Sequence, residues 1–145
     1  MTRDVTAAEI RLERRLPSPA EHRRIAESVG WERGFDWQSV PRSLERSLYG
    51  VVATADNHAV GMGRLVGDGV LYFYVQDVAV DPTWQRCGVG QMVVEALLAH
   101  IREVAPAAAF VGLFATPDAL RLYQRNGFGE GDMTGLFRLV HPGNT

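Results

Sequence analysis

Lysine is missing from this chain: all 15 basic side chains are arginine, set against 17 acidic ones for a net charge of −2. That absence excludes a Schiff base to pyridoxal phosphate and the phosphate-gripping lysine of a Walker loop. Cysteine is almost missing too. Cys87 stands alone, so no internal disulfide can form, and a reducing cytoplasm is the expected setting. His22, His58, His100 and His141 are scattered, with no pair at helical spacing, and no metal site is expected. No stretch approaches the roughly eighteen apolar residues of a membrane span, and the charged N-terminus resembles no signal peptide. The small net charge gives no field toward nucleic acid or anionic lipid. A serine-hydrolase elbow, Gly-x-Ser-x-Gly, does not occur.

What is present fits one soluble domain spanning residues 1–145, with 46% hydrophobic and 22% charged residues. Weak alternation over Glu9 to Leu16 predicts an edge strand. Ser18-Pro19-Ala20-Glu21 predicts a helix start, with Ser18 as N-cap and Glu21 closing a capping box, and Gly30 a left-handed stop. An aromatic loop follows, Trp31-Glu32-Arg33-Gly34-Phe35-Asp36-Trp37, then a short helix from near Pro41. Tyr49 to Ala55 and Ala59 to Val66 read as a hairpin around Asp56-Asn57-His58. Val70 to Val80, apolar on both faces, predicts a central strand covered on both sides.

From Gly88 the period becomes helical, with Val89, Val93, Leu97 and Ile101 on one face. Ala109 to Phe114 predicts a short strand. Thr116-Pro117 opens a last helix carrying Tyr123, and Leu136 to Val140 a final strand. The expected architecture is mixed α/β, with an antiparallel first half and one strand-helix-strand crossover.

The chemistry concentrates in Asp81-Pro82-Thr83-Trp84-Gln85-Arg86-Cys87-Gly88-Val89-Gly90. A buried strand feeding a glycine-punctuated loop at a helix N-terminus makes an anion site, because the first helical turn offers unpaired N–H groups and partial positive charge. Gly88 and Gly90 let a diphosphate approach the backbone, and Arg86 adds formal charge. A dinucleotide fingerprint fails for want of a third glycine. Cys87 reads as a small filler and Trp84 as packing for the loop.

Gln85-x-x-Gly88-x-Gly90, after a strand ending Val78-Ala79-Val80-Asp81-Pro82, resembles motif A of the GCN5-related N-acetyltransferases, the GNAT family. Ala119-x-x-Leu122-Tyr123-x-x-x-Gly127-Phe128 resembles motif B of the same family. The resemblance covers residues 70–128 best and is that of small bacterial-type members. It implies a central, mixed and mostly antiparallel sheet with splayed parallel strands 4 and 5 and helices on both faces. It further implies acetyl-CoA as cosubstrate, its pyrophosphate wrapped by the loop from Gln85 through Arg86, Cys87, Gly88, Val89, Gly90 and Gln91. The strand at Val78, Ala79 and Val80 parts from its neighbour at a bulge to bind pantetheine and polarise the thioester carbonyl. Tyr123 would protonate the departing thiolate. Thr116 stands where the family commonly has asparagine, which touches one pantetheine contact.

The implied reaction is direct attack by a primary amine of a small molecule or peptide, in a monomer or homodimer. Asp77 has two readings: a base whose pKa burial raises, or an acceptor of hydrogen bonds near the bulge. Glu32 and a water chain are further candidates. Trp31, Glu32 and Phe35 could wall an acceptor pocket with Tyr72 and Tyr74, or simply cap the core. Arg33 would instead suit a carboxylate-bearing acceptor. Two rivals share the scaffold, a coenzyme A-binding module without turnover and an enzyme with another acyl donor or chemistry.

Overall fold

Ser18 opens the first helix as its sequence requires: its hydroxyl accepts from the Glu21 N–H at 3.1 Å while Glu21 accepts from the Ser18 N–H at 2.8 Å. This reciprocal bonding satisfies two donors that a helix start otherwise leaves unpaired. The computed structural model describes residues 9–143. The chain divides into two compact units, one ending at Leu113 and the other beginning at Phe114.

The first unit holds strands β1 (Ile10–Glu13), β2 (Tyr49–Ala55), β3 (His58–Gly67), β4 (Tyr72–Val80) and β5 (Phe110–Gly112), and helices α1 (Pro19–Ser28), α2 (Val40–Glu45) and α3 (Val89–Val104). The sheet order is β1-β2-β3-β4-β5. Each neighbouring pair is antiparallel except β4 and β5, which are parallel. Asp56 and Asn57 turn the β2–β3 hairpin with φ of 51° and 63°, the left-handed pair whose twist matches the flanking strands.

Cross-strand partners share a face, so the register sorts the two sides of the sheet. Met62 and Val52 lie opposite each other and pack with Ile25 and Ala26 of α1. The other side carries Gly61 and Gly63, where Val89, Val93 and Leu97 of α3 press directly on the backbone. Those three α3 residues are buried with Ile101, the helical stripe that the spacing predicts.

The structure trims or moves several expected elements. The edge strand is only Ile10–Glu13, pairing β2 alone. β4 starts at Tyr72 because the Asp68 carboxylate accepts from the N–H groups of Val70, Leu71 and Tyr72, which bends those residues into a turn. β3, and not β4, is the middle strand. β4 alternates buried with half-buried residues in place of the double cover that its apolar sequence suggests. The strand after α3 spans Phe110–Gly112.

The second unit contains α4 (Leu120–Arg125), preceded by a 3-10 turn at Pro117–Ala119. No strand forms over 136–140, where Leu136 is 85% exposed and Val140 75% exposed. Arg138 sits inside the apolar run and no strict alternation surrounds it, so the run offers no single face to bury.

A side chain at Gly63 would intrude on α3. Its Cβ would stand 2.7 Å from Val93 Cγ1 and 3.1 Å from both Leu97 Cδ1 and Val78 Cγ2. Gly63→Ala is expected to lower stability by about 1–3 kcal/mol through overpacking, measured as a reduced urea midpoint with unchanged slope.

Candidate functional site

The site begins with an irregularity in β4. Leu65 pairs with Val75, Arg64 with Gln76, and Met62 with Ala79, so Asp77 and Val78 together oppose the single residue Gly63. Asp77 takes φ of 58°, a left-handed conformation that aspartate tolerates better than most residues. This extra residue is a β-bulge, and it redirects the strand. Gln76 and Asp77 both face the α1 side with Arg64, whereas Val78 turns to α3 beside Gly63.

The parallel ladder to β5 stops short of the bulge. It pairs Tyr72 with Phe110, Phe73 with Val111 and Tyr74 with Gly112, and goes no further, while β4 runs on to Val80. Residues Val75 to Val80 therefore turn one backbone edge toward a neighbour that does not zip onto them.

Beyond Val80 the chain enters the glycine loop. Asp81 accepts from the Thr83 N–H at 2.9 Å and starts a 3-10 turn, Pro82–Trp84, that buries Trp84. Gln85 ties the loop back by donating its amide to the Val80 carbonyl at 2.9 Å. Arg86 and Gly88 adopt φ of 63° and 82°, left-handed conformations of the kind from which anion nests are built. Gly88 is the N-cap of α3 with no side chain capping the first turn, and a Cβ there would meet nothing within 4 Å. Cys87 is half-buried, its thiol on the Gln85 carbonyl at 3.4 Å. Val89 is buried, and Gln91 donates to Glu95 at 2.8 Å. The first turn of a sixteen-residue helix, open and uncapped, suits a diphosphate.

Asp77 is the hub of a buried cluster. Its Oδ2 accepts from His22 Nε2 and from Arg64 Nε, each at 3.0 Å, and its Oδ1 accepts from the Gln76 amide at 2.8 Å. Arg64 also donates to the Ser43 carbonyl, the Ser47 hydroxyl and the Ser43 hydroxyl. Burial alone would raise the Asp77 pKa, but the His22 and Gln76 hydrogen bonds and the charge of Arg64 prevail and hold it below its ordinary value. The expectation of a carboxylate made basic by burial is therefore corrected, because burial came with partners. A side chain so engaged is a hydrogen-bond acceptor and an orienting group.

The remaining candidates are placed as follows. Trp31 and Phe35 are half-buried and pack with Trp37 against the core under α1, while Glu32 is exposed on a 3-10 turn. Phe35 stands edge-on to the His22 ring at 4.9 Å. Tyr72 lies at the zipped end of β4, tilted against Phe110 at 6.2 Å, and Tyr74 sits at the last paired position. The five steps along the chain from Tyr72 to Asp77 span about 16 Å of strand, so Tyr72 stands away from the bulge. In the second unit, Tyr123 is buried on α4 and meets Phe128 edge-on at 5.9 Å. Thr116 precedes the 3-10 turn without spending its hydroxyl on a cap.

Sequence reasoning missed His22 and Arg64. His22 lies three and four positions before the buried Ile25 and Ala26, so helical spacing placed it on the inner face. Arg64 interrupts an otherwise apolar strand, and a charge there needs a partner.

The mixed sheet, its parallel pair parted after Tyr74, thus runs into a helix whose N-terminus no side chain caps. A family model described as "Acetyltransferase (GNAT) domain" matches residues 46–130, and the chain belongs to that family, which is a class of acyltransferases. Among curated relatives, "GCN5-related N-acetyltransferase 1, chloroplastic" of Arabidopsis thaliana is 35% identical over 69 residues, 48% of this chain and 34% of that protein. "Serotonin N-acetyltransferase 2, chloroplastic" of Oryza sativa subsp. japonica is 33% identical over 104 residues, 69% of this chain and 50% of that protein. The chain thus spans between a third and a half of these two relatives.

A GNAT family acetyltransferase structure from Streptococcus pneumoniae superposes with a TM-score of 0.78 at 27% identity, covering 92% of this chain and 99% of that one. A protein of unknown function from Meticillin-resistant Staphylococcus aureus superposes at 0.82 and 24% identity, covering 90% and 99%. Among the described residues, no helix is long and apolar enough to cross a membrane.

Two acid-sensitive contacts follow from the carboxylates. Glu21, bound by Arg15 at 2.7 and 3.0 Å, is held down to about 2 from an ordinary 4.5, and Asp77 lies below its ordinary 3.8. A depressed carboxylate stabilises the fold above its unfolded pKa and loses that contribution as pH falls through its folded pKa. Stability should therefore decline as pH falls below about 4.5. Asp77→Asn should flatten part of that decline and, by leaving Arg64 buried without a counter-charge, cost about 3–5 kcal/mol at neutral pH. Urea unfolding at a series of pH values measures both effects.

Proposed function

We propose that residues 1–145 form one acetyl-CoA-dependent N-acetyltransferase domain that moves an acetyl group to a primary amine of a small molecule or peptide by direct attack. The observation that carries this reading is the parting of β4 from β5 after Tyr74, with the bulge at Asp77, just ahead of an open glycine loop. An extended pantetheine arm can take the place of the missing strand pairing, its amides bonding the backbone edge of Val78, Ala79 and Val80 that β5 leaves unpaired. Its pyrophosphate then falls at the N-terminus of α3, where backbone N–H groups of residues 86–91 and the Arg86 guanidinium meet it. The curated relatives, an N-acetyltransferase and a serotonin N-acetyltransferase, favour an amine as nucleophile.

The chemistry has three requirements: a neutral amine, a stabilised oxyanion and a protonated leaving sulfur. A backbone N–H at the bulge supplies the oxyanion donor, since a strand released from its neighbour has one to offer. Tyr123 supplies the proton to sulfur. Thr116 keeps a free-standing hydroxyl for the pantetheine arm. Trp31, Glu32 and Phe35 form the acceptor side, with Glu32 as an acidic group for a cationic amine.

Acetyl-CoA at 100 times its dissociation constant should add about 2.7 kcal/mol to stability, read as a raised melting temperature. Gly88→Val, which adds bulk in the open cradle and strains a left-handed residue, should abolish that shift while the apo-protein stays folded. Tyr123→Phe should keep the shift and lower kcat by about a hundredfold or more, measured as thiol release over a panel of amines. No melting shift at millimolar acetyl-CoA would sink the reading.

A further inference from the structure

His22 is the most deeply buried polar side chain of the cluster, 1% exposed, and one of its ring nitrogens has no partner. Nε2 is bonded to Asp77 Oδ2 at 3.0 Å, while Nδ1, also buried, makes no hydrogen bond to any described residue. An orphaned buried nitrogen is costly, because it has left water without gaining a partner.

The tautomer follows from the partner. Asp77 is held ionised, so it only accepts, and Nε2 must carry the proton. Arg64 already balances the single charge of Asp77 at 3.0 Å, so a neutral imidazole completes an uncharged cluster. A neutral ring with Nε2–H leaves a bare lone pair on Nδ1. The arrangement is an imidazole oriented by a carboxylate with its other nitrogen free to take a proton, the logic by which histidine bases are activated.

Its position fits that use. Asp77 is the bulge residue itself, and its side chain points to the α1 side, opposite the α3 side to which Val78 turns. A thioester held at the backbone of Val78 would therefore have the Asp77–His22 pair on one of its two faces. On that face the rings of Phe35 and Trp37 stand edge-on to His22 at 4.9 and 5.9 Å, both on the half-exposed aromatic loop. Apart from Asp77 and Arg64, the nearby charges are Arg23, whose guanidinium covers Trp37 at 4.9 Å, and the exposed loop carboxylates Glu32 and Asp36.

We propose that His22 Nδ1 is the proton acceptor for the incoming amine, with Asp77 as its positioning residue. The proposal rests on the acetyltransferase reading and names a base other than Asp77. As the amine lone pair forms the C–N bond, its N–H proton passes to Nδ1. The C–S electron pair leaves on sulfur, which takes the Tyr123 proton, and the imidazolium beside Asp77 later returns a proton to solvent while Tyr123 regains one.

The test is His22→Gln, whose side-chain amide can still donate to Asp77 but cannot take a proton. Coenzyme A binding by calorimetry should match wild type. With acetyl-CoA and a panel of arylalkylamines, polyamines and short peptides, kcat/KM should fall by about 10²–10⁴. The acid limb of the His22→Gln profile should then follow the protonation of the amine alone. A second readout needs neither turnover nor a foldable variant: ¹⁵N-histidine NMR of the wild-type protein should find His22 as the Nε2–H tautomer with Nδ1 unprotonated. A protonated Nδ1 in the resting protein, or a His22→Gln enzyme with wild-type kcat/KM and the same acid limb, overturns the assignment and leaves the acetyltransferase reading standing. Wild-type protein that binds coenzyme A yet releases no thiol with any amine overturns both.

Discussion

The bulge at Asp77 is the constraint on which this molecule turns. One residue has to hold a left-handed backbone with φ of 58° and, at the same time, anchor a carboxylate between Arg64 and His22, each 3.0 Å away. The two demands reinforce each other. Left-handed backbone at a non-glycine residue is costly, and the three side-chain donors to the carboxylate, with Gln76, pin the residue where the strain lies. Because the bulge places two residues of β4 against Gly63, it flips Val78 to the α3 side, and the last residues of the strand are aimed at the loop that caps α3.

The same cluster ties two helices to the sheet. His22 comes from α1, Arg64 from β3 and Asp77 from β4, and Arg64 reaches on to Ser43 in α2 and to Ser47. A buried ion pair is weak grounds for net stability, but it is strong grounds for register, because every alternative pairing strands a charge. Gly61 and Gly63 complete the design from the other side, letting α3 lie close enough to the sheet for Val89 and Val93 to touch its backbone. The N-terminus of α3, and with it the loop of residues 85–90, is thereby set at the end of β4.

Much of this was legible in the sequence. Ser18 and Glu21 announce the α1 start, Asp56-Asn57 the hairpin turn, and the valine–leucine stripe after Gly88 the buried face of α3, since each is a local rule acting on a short span. The motif residues from Gln85 to Gly90 and around Tyr123 pointed to the family. What local rules could not reach was pairing at a distance. Asp77 was readable as a buried carboxylate, but whether burial raises or lowers its pKa depends on Arg64 and His22, which are 13 and 55 residues away in the chain. The aromatic loop was open for the same reason, its rings resting on a core assembled from α1, β2, β3 and β4. The run 136–140 failed as a strand because hydrophobicity without alternation gives no face to pair and bury.

The central claim is that an open edge of β4 and the bare first turn of α3 act together as one cosubstrate site. A crystal structure with coenzyme A soaked or grown in addresses it directly. The account predicts pyrophosphate oxygens on the backbone N–H groups of residues 86–90 and the pantetheine arm bonded to the main chain of Val78 and Val80. Density for coenzyme A elsewhere, or a β5 that extends its ladder to Val80 with the ligand bound, would contradict it.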